Sequence, residues 1–131
     1  MTWPVKFDPK RIDLHVEGRI SSADARRQRE TAAEILRRLR HQPGLVLADE
    51  VGMGKTFVAL AVAVSVAWAD RKRRPVLIMV PPALREKWPR DFDVFRERCL
   101  KARGDATGLT SRLARNAVEL LRLLEKLRLG N

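Results

Sequence analysis

The sequence predicts an α/β fold, because two short apolar runs flank a glycine-rich loop and a long apolar helix. Residues 45–48 and 76–80 are apolar throughout, as expected of parallel strands that are buried on both faces. Residues 55–70, rich in Ala and Val, predict a helix that packs on several sides. Together these segments predict a βαβ unit with parallel strands and a right-handed crossover.

The loop between the first strand and this helix has the residues of a phosphate-binding loop. Residues 45–56 read LVLADEVGMGKT, and the glycines let backbone N–H groups surround an anion at the positive end of the helix dipole. Lys55 would reach the β- and γ-phosphates of a nucleotide and the Thr56 hydroxyl would ligate Mg²⁺, so both are candidate catalytic residues. A full P-loop has glycine in place of Asp49. A glycine-rich turn that binds nothing is the alternative.

The stretch DEVGMGKT, residues 49–56, closely resembles motif I of the Swi/Snf-type helicase-like ATPases of helicase superfamily two. In that family the first position of the P-loop is commonly Asp, so the variant position becomes part of the match. The resemblance implies a RecA-like lobe, ATP and Mg²⁺ as cofactors, and duplex DNA as the partner of the complete motor. The nucleotide-binding residues that it implies in this loop are Asp49, Glu50, Val51, Gly52, Met53, Gly54, Lys55 and Thr56.

A glutamine upstream of the loop is the second nucleotide-binding candidate. Residues 22–40 predict a helix with an N-cap at Ser21 or Ser22, and Gln28 lies on its apolar stripe. An amide can donate and accept at once, which suits reading the edge of adenine. Superfamily-two proteins carry such a glutamine, the Q motif, and Gln28 occupies the matching place. A surface glutamine near a helix start is the alternative.

The second strand leads into a candidate DNA-binding segment. Residues 76–95 read VLIMVPPALREKWPRDFDVF, which resembles motif Ia of the same family, where the segment approaches the phosphate backbone of one DNA strand. The resemblance makes Arg85 and Lys87 candidate phosphate contacts, and an ordinary solvated helix face is the alternative. Pro89 is expected to break or kink the helix that follows.

Three parts follow from this organisation. Residues 22–100 form the P-loop core with the Q motif, motif I and motif Ia; residues 1–21 are an N-terminal extension, and residues 101–131 are a loop and a C-terminal amphipathic helix over 111–129. In the extension, Ile12, Leu14 and Val16 alternate with polar residues. This period of two predicts either an edge strand or an extension that docks on the core.

The chain is strongly basic, with a net charge of +11 from 27 Lys and Arg against 16 Asp and Glu. Such an excess is typical of proteins that meet a polyanion. The alternatives are a basic, Arg-rich proteome or a fragment whose acidic partner region is missing. The densest charge run, residues 70–74, joins the helix back to the second strand. Ligands of open α/β sheets bind beyond the carboxyl ends of the strands, so this run predicts a solvated turn.

The cysteine, histidine and hydropathy patterns argue against a disulfide framework, a zinc site and a membrane span. The one cysteine, Cys99, cannot form an internal disulfide, and with His15 and His41 it makes no zinc constellation. A lone cysteine on a helix is most often a small packed hydrophobe. We see no signal-peptide pattern, and the apolar run after the P-loop is shorter than the roughly 18–20 residues of a membrane span. A cytoplasmic protein without a membrane partner is predicted.

The elements of a complete motor are only partly present. Hydrolysis needs a Walker B carboxylate and an arginine finger from a second lobe, and neither can be identified in these 131 residues. We therefore expect an incomplete lobe that binds ATP, hydrolyses it poorly alone, and is completed by the remainder of the motor or by a second chain. A non-catalytic basic module with a vestigial P-loop, which binds nucleic acid or a partner, is the alternative. A small nucleotide kinase or GTPase is disfavoured, because it too needs a Walker B strand or a base-specificity motif.

Overall fold

The computed structural model describes residues 5–48, 54–102, 104 and 108–130. Helix α1 is Ser22–Leu39, α2 is Lys55–Ala69, α3 is Lys87–Arg98 and α4 is Ala117–Arg128. A short 3-10 turn, Pro82–Leu84, precedes α3. Helix α2 packs against both α1 and α3 and so lies at the centre of the arrangement.

Helix α1 is fixed by a cap and by one apolar stripe. The Ser21 hydroxyl accepts a hydrogen bond from the backbone N–H of Asp24 at 3.1 Å, which satisfies a donor that the first turn leaves unpaired. Ala25, Ala32 and Leu36 are buried at helical spacing. The predicted helix and its predicted cap are therefore confirmed.

The core joins α2 and α3. Phe57 of α2 and Phe95 of α3 are buried, with 6.3 Å between their ring centroids. Cys99 is fully buried beside them, and burial raises the pKa of its thiol to about 12, so the thiol is neutral and packs as a small apolar group. The other core residues of α2 include Val58, Leu60, Ala61 and Val64. Neither α2 nor any other helix in the described ranges is long and apolar enough to cross a membrane.

The N-terminal segment is an extension that docks on this core. Ile12, Leu14 and Val16 are buried, and the residues between them are exposed. Ile12 makes an isolated antiparallel bridge with Leu100, and backbone hydrogen bonds of 2.8 and 3.0 Å flank it. Of the two possibilities that the alternation leaves open, the structure has the docked extension.

The predicted α/β fold, with its parallel βαβ core, is wrong for the described residues, which contain no strand and no sheet. Segments 45–48 and 76–80 have no regular structure and lie mostly at the surface, where Val46 and Met79 are each 86% exposed. A strand persists only where its backbone groups pair with a neighbouring strand, and two strands alone are marginal in water. An apolar run indicates a tendency to be buried but does not supply that neighbour. The core forms instead from α1, α2, α3 and the N-terminal extension.

Two helix boundaries also differ from expectation. Pro89 neither breaks nor kinks a helix, because it lies in the first turn of α3, where its missing N–H would have no acceptor within the helix. The predicted helix is instead interrupted at residues 85–86, which form a turn between the 3-10 turn and α3. The C-terminal helix begins at Ala117 rather than at residue 111, because the Asn116 side chain caps it by accepting a backbone hydrogen bond at 2.9 Å.

The charged turn after α2 is solvated, as predicted, and holds one internal ion pair. The Asp70 carboxylate accepts hydrogen bonds from the Arg74 side chain at 3.0 and 3.1 Å and from the Arg74 backbone N–H at 2.8 Å. These bonds lower the pKa of Asp70 to about 2. Residues 71–74 are exposed, so Arg74 serves the turn itself.

We expect Asp70→Asn to lower the free energy of unfolding at pH 6. Because the folded-state pKa of Asp70 is about 2, below its usual 3.8, the carboxylate stabilises the fold above about pH 4 and loses this effect as the pH falls toward 2. Urea unfolding at several pH values should therefore show a difference from wild type that shrinks toward zero on acidification. Asp93→Asn, at an exposed position on α3, is the control. A pH-independent difference for Asp70→Asn would contradict the assigned role.

Candidate functional site

The structure describes only the end of the predicted phosphate-binding loop, which begins at Gly54. Asp49, Glu50, Val51, Gly52 and Met53 lie outside the described residues, and their nucleotide-binding role stays a prediction. Gly54 has a φ of +108°, a conformation that residues with a Cβ rarely adopt, and it directly precedes α2. The backbone thus needs glycine at this position before any ligand is considered.

Gln28 lies directly against this glycine. A Cβ on Gly54 would fall 1.9 Å from Gln28 Nε2 and 2.6 Å from Gln28 Cδ, far inside ordinary van der Waals contact. The glycine therefore also makes room for the carboxamide. The fold brings together the glutamine of the predicted Q motif and the end of the predicted P-loop, which are well separated in the chain.

The Gln28 side chain is buried, and its acceptor lacks a donor among the residues that the structure describes. The residue is 8% exposed, and Oε1 accepts no hydrogen bond from the described residues. Its burial follows from its place on the stripe of α1, four residues before Ala32. A buried acceptor without a donor costs about 1–3 kcal/mol, so native proteins usually satisfy it. This oxygen therefore suits an N–H donor from a ligand and argues against the alternative of a surface glutamine.

The start of α2 contacts the start of α3. Lys55 and Thr56 are half-buried there, and Lys87 Nζ donates a hydrogen bond to Thr56 Oγ1 at 3.4 Å. Lys87 also pairs with Asp91, one turn further along α3. The structure thus joins the predicted metal ligand to one of the two predicted DNA contacts.

Asp91 is the residue that sequence reasoning missed. It is 7% exposed and lies four residues before the fully buried Phe95, on the core side of α3. Its spacing from Lys87, four residues, is that of an ordinary surface ion pair, which concealed its burial. The available signal was a carboxylate on an otherwise apolar stripe.

Arg85 occupies a different setting from Lys87. It lies half-buried in the turn between the 3-10 turn and α3, and its Nε is buried without an acceptor among the described residues. A guanidinium N–H of this kind can be satisfied by a phosphate oxygen. Its predicted role in DNA contact stays a prediction.

A cavity lies away from these residues. It has a volume of about 320 Å³ and lies between the N-terminal extension and the first turns of α1, next to Arg26, Arg29 and Lys101. None of the predicted site residues that the structure describes lines it. The candidate nucleotide site is therefore the Gln28–Gly54 contact and the start of α2, and not this cavity.

Part of the chain that includes these residues matches a known protein family. The family model described as SNF2-related domain matches residues 27–102, which include Gln28, Thr56 and Lys87. The chain belongs to the SNF2-related domain family. Membership confirms the resemblance to the Swi/Snf-type helicase-like ATPases.

Curated proteins also match part of this chain. The chain is 38% identical over 76 residues to RNA polymerase-associated protein RapA of Vibrio parahaemolyticus, a match that covers 51% of this chain and 8% of the relative. It is 38% identical over 77 residues to the protein of the same name from Photobacterium profundum, covering 52% of this chain and again 8% of the relative. The chain thus spans a small part of these relatives' length. No solved structure matches it.

Proposed function

We propose that this chain is the ATP-binding portion of a DNA-dependent ATPase of the Swi/Snf type. Membership of the SNF2-related family supports an ATP-driven, helicase-like motor. The contact between Gln28 and Gly54 supports nucleotide binding at the start of α2. Translocation on duplex DNA would belong to the complete motor, since the match covers only 8% of the length of each of these relatives.

The observation that carries the proposal is the Gln28 carboxamide: its Nε2 and Cδ lie against Gly54, and its buried Oε1 accepts no hydrogen bond from the described residues. Adenine has an amino group on its six-membered ring where guanine has a carbonyl oxygen. An acceptor that lacks a donor is satisfied by the amino group and repelled by the carbonyl. Gln28 would therefore favour ATP over GTP at this position.

The phosphates would lie at the N-terminus of α2. The first turn of a helix has unpaired N–H groups and a partial positive charge, which favour an anion. Lys55 would contribute its ammonium, and residues 49–53 would complete the cradle with their backbone N–H groups. In this proposal the adenine contact would lie next to Gly54, and the phosphate contacts would follow at the start of α2.

Thr56 would ligate Mg²⁺ through its hydroxyl oxygen. The described residues gather no group of three His, Cys, Asp or Glu that could hold a metal ion. The other ligands would therefore be phosphate oxygens, water or residues outside the described ranges, as is usual for Mg²⁺. When bound, the ion neutralises charge on the phosphates.

Nucleic-acid binding is the second part of the proposal. Arg85 and Lys87 would contact DNA phosphates, supported by the net charge of +11. The curated relatives carry RNA polymerase association in their name, but the match covers a segment of the motor family. It therefore supports the motor function in this chain and not polymerase binding. The cytoplasmic location remains a prediction.

We expect this chain to bind ATP·Mg²⁺ and to prefer it over GTP·Mg²⁺. Isothermal calorimetry with both nucleotides tests this on the wild type and on Gln28→Ala. Loss of one hydrogen bond to the base should weaken ATP binding by about tenfold and remove the preference for adenine. Little hydrolysis is expected from this chain alone, because no Walker B carboxylate can be identified in its sequence.

Gln42→Ala is the matched control, because Gln42 is an exposed glutamine whose side chain donates to a nearby backbone carbonyl at 2.8 Å. It should leave both affinities unchanged. Equal binding of ATP and GTP by the wild type would refute the role of Gln28. Absence of nucleotide binding, together with steeply salt-dependent DNA binding, would favour the basic module with a vestigial P-loop.

A further inference from the structure

The ammonium group of Lys87 lies between two oxygen-bearing side chains. It donates to Thr56 Oγ1 at 3.4 Å and pairs with the Asp91 carboxylate. The Asp91 side chain is 10% exposed, whereas that of Lys87 is 50% exposed. A buried carboxylate is costly without a cation, so Asp91 holds the Lys87 ammonium near Thr56.

The Thr56 hydroxyl cannot serve this ammonium and a metal ion equally well. Mg²⁺ binds its oxygen ligands at about 2.0–2.1 Å. A lysine ammonium that donates to the same oxygen would lie close to the ion, and the two positive charges would repel each other. Lys87 must therefore withdraw from Thr56 if the hydroxyl is to ligate Mg²⁺.

We propose that Lys87 is a positioning residue that competes with Mg²⁺ for the Thr56 hydroxyl. The inference rests on the proposed function, in which Thr56 ligates Mg²⁺. Without nucleotide, Asp91 keeps the ammonium on Thr56; when ATP·Mg²⁺ binds, the ammonium leaves Thr56 and stays paired with Asp91. The exposed half of the Lys87 side chain gives it room to turn toward solvent.

The competition has a consequence for nucleic-acid binding. Once Lys87 leaves Thr56, it has N–H donors available for a phosphate oxygen of DNA. Any phosphate that draws Lys87 away from Thr56 also removes the competitor of Mg²⁺. By thermodynamic linkage, the two ligands would then favour each other's binding through this one side chain.

The test compares ATP affinity with excess Mg²⁺ and with EDTA, by calorimetry, for the wild type and Lys87→Met. We expect the variant to bind ATP·Mg²⁺ about threefold to tenfold more tightly, the equivalent of one lost competing hydrogen bond. If Lys87 instead binds the ATP phosphates, Lys87→Met should bind ATP more weakly than the wild type, both with excess Mg²⁺ and with EDTA. Unchanged or weaker ATP·Mg²⁺ binding would overturn the proposal.

Two further variants make the result interpretable. Lys87→Met leaves Asp91 buried without a cation, so the double variant Lys87→Met/Asp91→Asn removes both charges and should show the same tighter binding. If the single variant does not fold, the double variant decides the matter by the same criterion. Lys72→Met removes a lysine from the exposed turn at the other end of α2 and should bind as the wild type does.

The ATP affinities of the wild type and the double variant distinguish failure of the competition from failure of the proposed function. A wild type that binds no ATP with or without Mg²⁺ refutes the proposed function, and the competition with it. A wild type that binds ATP·Mg²⁺, with a folded double variant that binds no more tightly, refutes only the competition. Tighter binding in the double variant, with Lys72→Met unchanged, supports it.

Discussion

Lys55→Ala should abolish measurable ATP binding, a loss of about a hundredfold or more in affinity. An ammonium on the β- and γ-phosphates makes charge-assisted hydrogen bonds, which are about twice as strong as neutral ones. Lys55 is half-buried at the first position of α2, so its charge lies where the helix dipole also favours an anion. Calorimetric titration with ATP·Mg²⁺ measures the effect.

Lys126→Ala is the matched control for this variant. Lys126 lies in the last turn of α4, where it is exposed. Its loss removes the same charge and should leave ATP affinity unchanged. Circular dichroism of Lys55→Ala must match the wild type, so that lost binding reports the site. Unchanged ATP affinity in a folded Lys55→Ala would refute the assignment of the phosphate site.

Phe95→Ala should lower the free energy of unfolding by about 3–5 kcal/mol. Phe95 is fully buried, faces the Phe57 ring, and links α3 to α2 in the core. Truncation removes the transfer free energy of the ring and leaves a cavity that its neighbours fill only in part. A domain of this size has a total stability of only about 5–15 kcal/mol, so the variant could be largely unfolded. Urea unfolding measures the change.

Two companion variants keep this prediction testable. Phe95→Leu retains much of the apolar volume and should cost less than Phe95→Ala, so it gives a measurable transition if the alanine variant unfolds. Leu121→Ala removes apolar volume from α4, where Leu121 is 65% exposed. It should change stability by no more than about 0.5 kcal/mol. Similar costs at Phe95 and Leu121 would show that the assigned core is wrong.

Local signals in the sequence predicted the helices well. Ser21 and Asp24 mark the start of α1, and the alternation of Ile12, Leu14 and Val16 marks a segment with one buried side. Such signals involve residues close together in the chain, so no knowledge of the rest of the fold is needed to recognise them. The boundary at Ala117 differs from the predicted one because Asn116 caps the helix, whereas the apolar pattern extends back to Leu113.

The prediction of a sheet was wrong because the two apolar runs do not pair with other strands, and this also leaves their side chains exposed. Runs 45–48 and 76–80 have the composition of buried strands, but strand formation depends on a partner that the run itself does not contain. In the described residues these runs are unpaired, and their exposed side chains include Val46, Leu47, Leu77 and Met79. Composition therefore predicted a preference for burial, which the tertiary structure does not satisfy here.

The sequence by itself determined the family of this protein. DEVGMGKT, Gln28 and the segment after the second apolar run are short motifs that can be read directly, and the family match over residues 27–102 agrees with them. Only the tertiary structure decided that Gln28 lies against Gly54 and that Lys87 reaches Thr56. These pairs are far apart in the chain, and their contact depends on how α1 and α3 pack on α2. Packing of that kind sums many weak contacts, which no local motif encodes.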